Sequence, residues 1–320
     1  MDVRSVCTSI PHQDDLQAFH FFLEINVVTI VILSRGKCGL SKCVTRYLVA
    51  MAAMDLLVII IDLILCHTRV VYNVEFYFIR DIPVCNIHAV LLYTVTDCSV
   101  WFTVSFTFDR YIAICCQNLK TKYCVEKTAT VVRATITVFF SFKNIFWFFM
   151  YTKRYNFSNL SWFCVVKDSV AESKVWGAFE FFHYILTPCI PFLFVLLFNA
   201  LTVRYILVAN RARKRLLNRV GGEIPSDPEM ENRRKSMIIL YAISANFILL
   251  WTIYMIYSIY WRMAYLGYEA ICLPVFVREL GFMFQLMGCC TNTCIYAVTQ
   301  PKFRDELKNL LKYPFTVIVK

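Results

Sequence analysis

An acid and a base stand side by side at Asp109-Arg110-Tyr111, within the stretch FTFDRYIAICC of residues 106–116. Neighbouring opposite charges form an ion pair, and opening such a pair frees an arginine to bind another group. Two further aspartates, Asp55 and Asp97, lie deep in apolar runs, where a carboxylate must be paired, protonated or hydrated. Other residue types that carry chemistry do not assemble. His88 has no second ligand at metal spacing, and no nucleophile, base and oxyanion-stabilising group can be gathered from the polar segments. Nothing supports catalysis, and no cofactor is expected. An isolated Asp-Arg pair is also what an ordinary interfacial anchor looks like, so its meaning depends on the elements that hold it.

Those elements are set by composition. Of 320 residues, 59% are hydrophobic and only 17% charged, far from the roughly 25% charge of a soluble domain, so the chain reads as a membrane protein. A bilayer core about 30 Å thick needs about 20 helical residues to cross it. Seven apolar segments meet that need, at 16–34, 44–67, 84–115, 129–151, 176–208, 236–261 and 271–299. With the amino terminus outside, the inner segments carry 20 Lys and Arg against 8 on the other side, the asymmetry that marks cytoplasmic loops. Basic loops beside anionic headgroups also account for the net charge of +11, so membrane lipid and not nucleic acid is the expected partner. Most of the 15 cysteines fall inside apolar spans, where a thiol acts as a small hydrophobe.

Two glycosylation acceptors, Asn156-Phe-Ser158 and Asn159-Leu-Ser161, fall in the segment between spans four and five, on the side the charge count places outside. The opening MDVRSVCTSIPHQDDLQ has acids and a proline where a leader would need an apolar core, so the first span is expected to act as its own signal. That span is the most compromised, carrying His20 and Glu24. Arg110 lies 25 residues after Cys85, about 37 Å along a helix and therefore one crossing. Its head is expected at the cytoplasmic water boundary, where breaking an exposed pair typically costs under about 1 kcal/mol.

The ordered set of motifs resembles the rhodopsin-like (class A) G-protein-coupled receptors. Asp-Arg-Tyr ends span three, YLVAMAAMDLL in span two ends near Asp55, span one supplies Asn26, span six Trp251, and span seven NTCIY with Asn292 and Tyr296. PKFRDELKNLL, residues 301–311, is similar to the family's amphipathic eighth helix. The stretches SVWFTVSFTFDRYIAIC and YLVAMAAMDLLV, and Asn-x-x-x-Tyr followed by Lys-Phe-Arg, look most like the orphan receptors numbered 139 and 142.

The resemblance implies an all-α, seven-transmembrane helix bundle with a short eighth helix. Residues 1–15 would be a short extracellular amino terminus, 16–300 the receptor domain, and 301–320 helix eight and a cytoplasmic tail. It implies a plasma-membrane receptor that senses an extracellular ligand and activates a heterotrimeric G protein. Asp109, Arg110, Tyr111, Trp251, Asn292 and Tyr296 would form the switch, with Arg110 freed when span six swings outward. Asn26, Asp55, Ser99 and Asn292 would form a polar core able to hold water or a sodium ion, and Cys85 would pair with Cys164, with Cys7 and Cys272 as alternative partners.

The ligand pocket implied by the resemblance is lined by Leu92, Tyr93, Thr96 and Asp97, by Tyr254, Met255 and Ser258, and by Arg278, Glu279 and Phe282. Leu92 stands where amine receptors carry an aspartate, so the expected ligand is a small peptide or amino-acid-like molecule. Asp97 is also expected to be satisfied by Tyr or Thr neighbours. Three departures set the chain apart: no proline two residues after Trp251, Thr293 where proline follows the span-seven asparagine, and Lys143-Asn144 in a span four without the usual tryptophan and proline. They keep open a receptor-shaped scaffold or decoy without coupling. A transporter is disfavoured by the lack of internal repeats and of mid-span glycines. The tail from 301 has one hydroxyl residue, Thr316, so dense phosphorylation and strong arrestin recruitment are not expected.

Overall fold

In hydrocarbon the backbone must satisfy its own polar groups, and a helix does so within one segment. The computed structural model describes residues 13–71, 84–152, 166–171, 173–220, 228–265 and 274–318, and its long elements are helices. The first three are α1 (Gln13–Ser34), α2 (Lys42–Val71) and α3 (Val84–Cys115). A short α4 (Gln117–Tyr123) leads into α5 (Glu126–Asn144), which tightens into a 3-10 turn over Ile145–Phe149. After a single turn, α6 (Asp168–Ala171), α7 (Lys174–Tyr184) runs through a π-helical segment, Ile185–Cys189, into α8 (Ile190–Val220). Then come α9 (Pro228–Tyr265), α10 (Val275–Thr299) and α11 (Pro301–Ile318).

Counting α7 and α8 as one crossing, the bundle has seven helices, with α11 as the eighth. Among the described residues five stretches are long and apolar enough to cross a bilayer by length and composition: Lys42–Ile61, Cys85–Cys115, Glu126–Phe149, Lys174–Ala212 and Met237–Tyr260. In α1 the apolar part is the shorter His20–Ser34, and both His20 and Glu24 are exposed.

Span three matches its expected bounds. Span five does not form one continuous helix, because Pro188 lacks the N–H that would continue the ladder and Thr187 takes an extended conformation, φ −147° and ψ 102°. The two helices therefore meet at a kink over Ile185–Cys189, as is usual at a proline. Beyond the apolar core, α9 begins at Pro228 instead of 236, and α11 continues to Ile318.

Packing centres on α3, which touches α2, α4, α5, α8 and α9. Towards Arg110, Tyr47, Leu48, Phe102, Phe106, Leu240, Tyr296 and Phe303 close a core shared by α2, α3, α9, α10 and α11. Mid-bundle, Val100, Val104, Val195, Phe247 and Trp251 join α3, α8 and α9. Towards Cys85, Ala89 of α3 packs with Trp147, Met150 and Tyr151.

Glycine matters at two close approaches. Gly39 has φ +70°, and a Cβ there would lie 3.0 Å from Lys302 Nζ, so its bareness lets the α1–α2 turn lie against the start of α11. At Gly281 a Cβ would lie 3.1 Å from Tyr254 Cα, which is how closely α9 and α10 meet. The segment after α5 is pinned at its base. Tyr151 and Val166 form an antiparallel bridge, Lys167 N donates to Met150 O at 3.1 Å, and Tyr151 N donates to Asn86 Oδ1 at 3.2 Å.

Candidate functional site

The charged pair at the end of α3 is held from three directions. Arg110 Nε donates to Asp109 Oδ2 at 3.0 Å, and Arg110 Nη2 completes the ion pair. Cys43 Sγ, from the start of α2, donates to Asp109 Oδ1 at 3.0 Å. Cys124 Sγ, just after α4, reaches the Asp109 carbonyl at 3.5 Å. Burial, with the Asp109 carboxylate beside it, pushes the Cys124 thiol up to about 12, so it stays a donor at neutral pH. Tyr111 stacks on Phe198 of α8, with centroids 5.8 Å apart and planes at 25°.

The expectation that this pair sits at the water boundary is overturned. Asp109 is fully buried, and the Arg110 side chain is 9% exposed. The small cost of breaking an exposed pair therefore does not apply, because separating these groups strands a buried charge unless a new partner takes the arginine. Of the other proposed switch residues, Trp251 packs against Phe247 with centroids 5.6 Å apart. Tyr296 is buried against Phe303, and its hydroxyl has no hydrogen-bond partner among the described residues.

In mid-bundle the structure brings Asp55, Ser99 and Asn292 together. Ser99 Oγ donates to Asp55 Oδ1 at 2.6 Å, and Asn292 Nδ2 to Asp55 Oδ2 at 3.0 Å. The chain of bonds continues into α9: Asn246 Nδ2 faces Asn292 Oδ1 at 3.5 Å, and Thr291 Oγ1 donates to Asn246 Oδ1 at 2.9 Å. A cavity lined by Asp55, Thr96, Ser99, Asn246, Trp251 and Asn292 gives about 30 Å³ to a water-sized occupant, room for a water or a small ion. Asn26 is not part of this group, since its Nδ2 donates to Phe22 O on its own helix at 3.0 Å. One helical turn on, Thr29 Oγ1 and Thr293 Oγ1 are hydrogen-bonded at 2.8 Å, and Thr29 Oγ1 also lies 2.9 Å from Ile25 O. The threonine that replaces the family's proline thus ties α10 to α1.

The proposed pocket residues divide. Tyr254 meets Phe282 with centroids at 5.3 Å and Trp251 at 5.9 Å, and Ser258 is buried one turn further on. Met255 is half-buried beside Tyr254, and Leu92 packs against Val58 and Val95 instead. Thr96 lines the Asp55 cavity. Tyr93 stacks on Trp147 at 4.0 Å. The side chains of Arg278 and Glu279, and residues Asn156, Asn159 and Cys164, lie outside the described residues. Cys85 is disulfide-bonded.

Asp97 corrects its expectation. Its carboxylate is met not by Tyr or Thr but by Lys143 and Asn144 of α5, both at Oδ2, while the buried Oδ1 has no hydrogen-bond partner among the described residues. Lys143 Nζ lies 2.6 Å from Asp97 Oδ2, and Asn144 Nδ2 donates to the same oxygen at 2.8 Å. Lys143 Nζ also lies 2.7 Å from His183 Nδ1 of α7, and Asn144 Oδ1 accepts from Trp147 Nε1 at 3.0 Å. Lys143 and Asn144 stood out as misfits in span four, and Asp97 as an unexplained acid in span three. The rule that joins them is that a charge inside a membrane needs an opposite one.

A bundle of seven apolar helices, with a clasped arginine at one end and a hydrogen-bonded carboxylate beside a small cavity at its centre, defines a membrane receptor of the seven-helix class. Residues 25–296 match the family described as 7 transmembrane receptor (rhodopsin family). The chain belongs to that family of G-protein-coupled receptors.

Proposed function

We propose that the protein senses an extracellular ligand at the plasma membrane, with its amino terminus outside, and activates a heterotrimeric G protein through Arg110. The observation that carries this reading is the buried Asp109–Arg110 pair, clasped by Cys43 and flanked by Tyr111, which stacks on Phe198 of α8. A buried arginine paired with a carboxylate is a two-position element: it either keeps that pair or exchanges it for another acceptor, and a G-protein α subunit offers one. The Asp55 cavity, with its carboxylate and hydroxyl oxygens, suits water or a sodium ion, although Gly288 and Cys289 supply no hard oxygen where the family has further polar side chains.

The ligand is a small peptide or amino-acid-like molecule bound around Tyr254, Ser258 and Phe282. This follows the likeness to the orphan receptors numbered 139 and 142, from which the chain departs by carrying Tyr254 in place of an arginine. Guanine-nucleotide exchange in membranes from expressing cells tests the coupling. Arg110→Ala at matched surface levels is expected to remove at least about nine-tenths of the signal, a loss of about 1.4 kcal/mol or more in coupling. Unchanged exchange in that variant rejects the role of Arg110.

A second reading, a receptor-shaped scaffold without coupling, draws on the Thr29–Thr293 bond, which fixes α10 to α1 where the family bends its seventh helix at proline. Exchange indistinguishable from untransfected membranes at every ligand tried favours that reading.

A further inference from the structure

Three helices of the bundle are joined by one buried polar cluster that the coupling machinery does not use. Asp97 comes from α3, Lys143 from the last turn of α5 and His183 from the last turn of α7. Asp97 is fully buried, the Lys143 side chain is 7% exposed, and His183 is 4% exposed. Aromatic rings wall the site: Tyr93 meets the His183 ring edge-on at 5.1 Å, and Trp147 does so at 5.2 Å.

The 2.7 Å contact between Lys143 Nζ and His183 Nδ1 fixes the proton count. A lysine ammonium has three donors and no lone pair, so Nδ1 must accept and the imidazole must be neutral, with its proton on Nε2. The trio then carries one positive charge against one carboxylate. A second proton on Nδ1 would leave two donors facing each other at hydrogen-bond distance with no acceptor between them, and the contact has to break.

We propose that His183, with Lys143 and Asp97, forms a proton-binding site through which the receptor senses acid on its outer side. This inference rests on the orientation and coupling proposed above. The groups facing His183 among the described residues are Tyr93 and Asp97 from α3, Lys143 from α5, and Glu180 and Tyr184 from its own helix. Beyond Tyr184 lies Tyr254 of α9, with centroids 6.5 Å apart. Of these side-chain types, only histidine ordinarily changes charge between pH 5 and 8. Glu180 is buried one turn away on the same helix, where i,i+3 neighbours share a face, and a nearby carboxylate favours the charged imidazolium once the contact with Lys143 opens.

The release has a path to the switch. His183 stands two residues before the π segment Ile185–Cys189, with its extended Thr187. Beyond that break, α8 carries Phe198, which packs on Phe108 at 5.1 Å and on Tyr111. The arrangement with Lys143 against His183 resists the second proton, and one with α7 displaced does not. Acid therefore shifts the balance toward the displaced form, by at most about tenfold per pH unit for a single proton.

Two measurements on the full-length receptor test this. Guanine-nucleotide exchange is followed while the external medium is taken from about pH 7.8 to about pH 5.8, the histidine range. Wild type is expected to gain signal, and His183→Gln, whose amide oxygen still accepts from Lys143 but does not titrate, is expected to stay flat at equal surface expression. Wild-type signal that ignores pH, or a His183→Gln response as steep as wild type, overturns the proposal. In parallel, the melting temperature of purified receptor is measured across the same range. The described arrangement holds His183 neutral while the unfolded chain lets it charge, so wild type should lose stability on acidification more steeply than His183→Gln. Superimposed melting profiles overturn the proton site whether or not the receptor couples. Absence of exchange at every pH counts against coupling through Arg110, and the melting profiles alone then decide the proton site.

Discussion

Neither Asp97 nor Lys143 could occupy its position alone. Each is buried among apolar and aromatic side chains, and each is tolerated because the other neutralises it at 2.6 Å. Removing one partner of a buried pair typically costs about 3–5 kcal/mol, whereas replacing both with apolar side chains of similar volume is often neutral or stabilising. Lys143→Met should therefore lower the melting temperature sharply, and adding Asp97→Leu should recover most of the loss, as a double-mutant cycle on purified receptor will show. Additive losses in that cycle would mean that the two side chains do not act as a pair. The Asp55 group and the Asp109–Arg110 pair were approachable from the sequence because ordered motifs single them out. The partners of Asp97 were not, because 46 residues separate it from Lys143 and no spacing rule links two helices. The need for a counter-charge was the only available clue.

Among the elements, the bond between Thr29 and Thr293 is the most consequential local departure. It joins α1 to α10 at a depth where no water competes, and such inter-helix bonds contribute about 0.6 kcal/mol on average, with a maximum near 1.7. Thr29→Val keeps the shape and removes the hydroxyl, so it should cost about that much in thermal unfolding of the receptor, without changing surface delivery. A loss far outside that range would mean that the contact does more than tie two helices. Most helices could be read from the sequence because apolar length is what the bilayer selects. The bounds of α3 needed no revision, since Val84 and Cys115 both mark a change from apolar to polar or turn-forming sequence. The crossing itself was legible, since Lys174–Ala212 is one apolar stretch, but span length alone does not announce the break between α7 and α8, for which the two prolines of LTPCIP are the local sign. The seven residues of α4, QNLKTKY, have no apolar periodicity to announce a helix.

At the scale of the whole molecule, the base of the segment after α5 is fixed by the Tyr151–Val166 bridge and the Asn86 contact, next to the disulfide-bonded Cys85. With Cys164 as its partner, the bridge closes nearly 80 residues, worth roughly 4 kcal/mol in the chain-entropy model. Non-reducing peptide mapping should recover Cys85 joined to Cys164, and Cys164→Ser should lower surface expression and ligand response together. A Cys85 peptide joined to Cys7 or Cys272 would reject the pairing. The clasp at the opposite end has a different consequence, for how quietly the receptor waits. One oxygen of Asp109 is held by a guanidinium, but the other rests on the thiol of Cys43, and a thiol is a weak donor. Under the proposed coupling, a clasp that is firm on one side and soft on the other is expected to open more readily than one held by two strong donors. A ligand would then be read as a change in pitch against a standing hum instead of as a sound breaking silence.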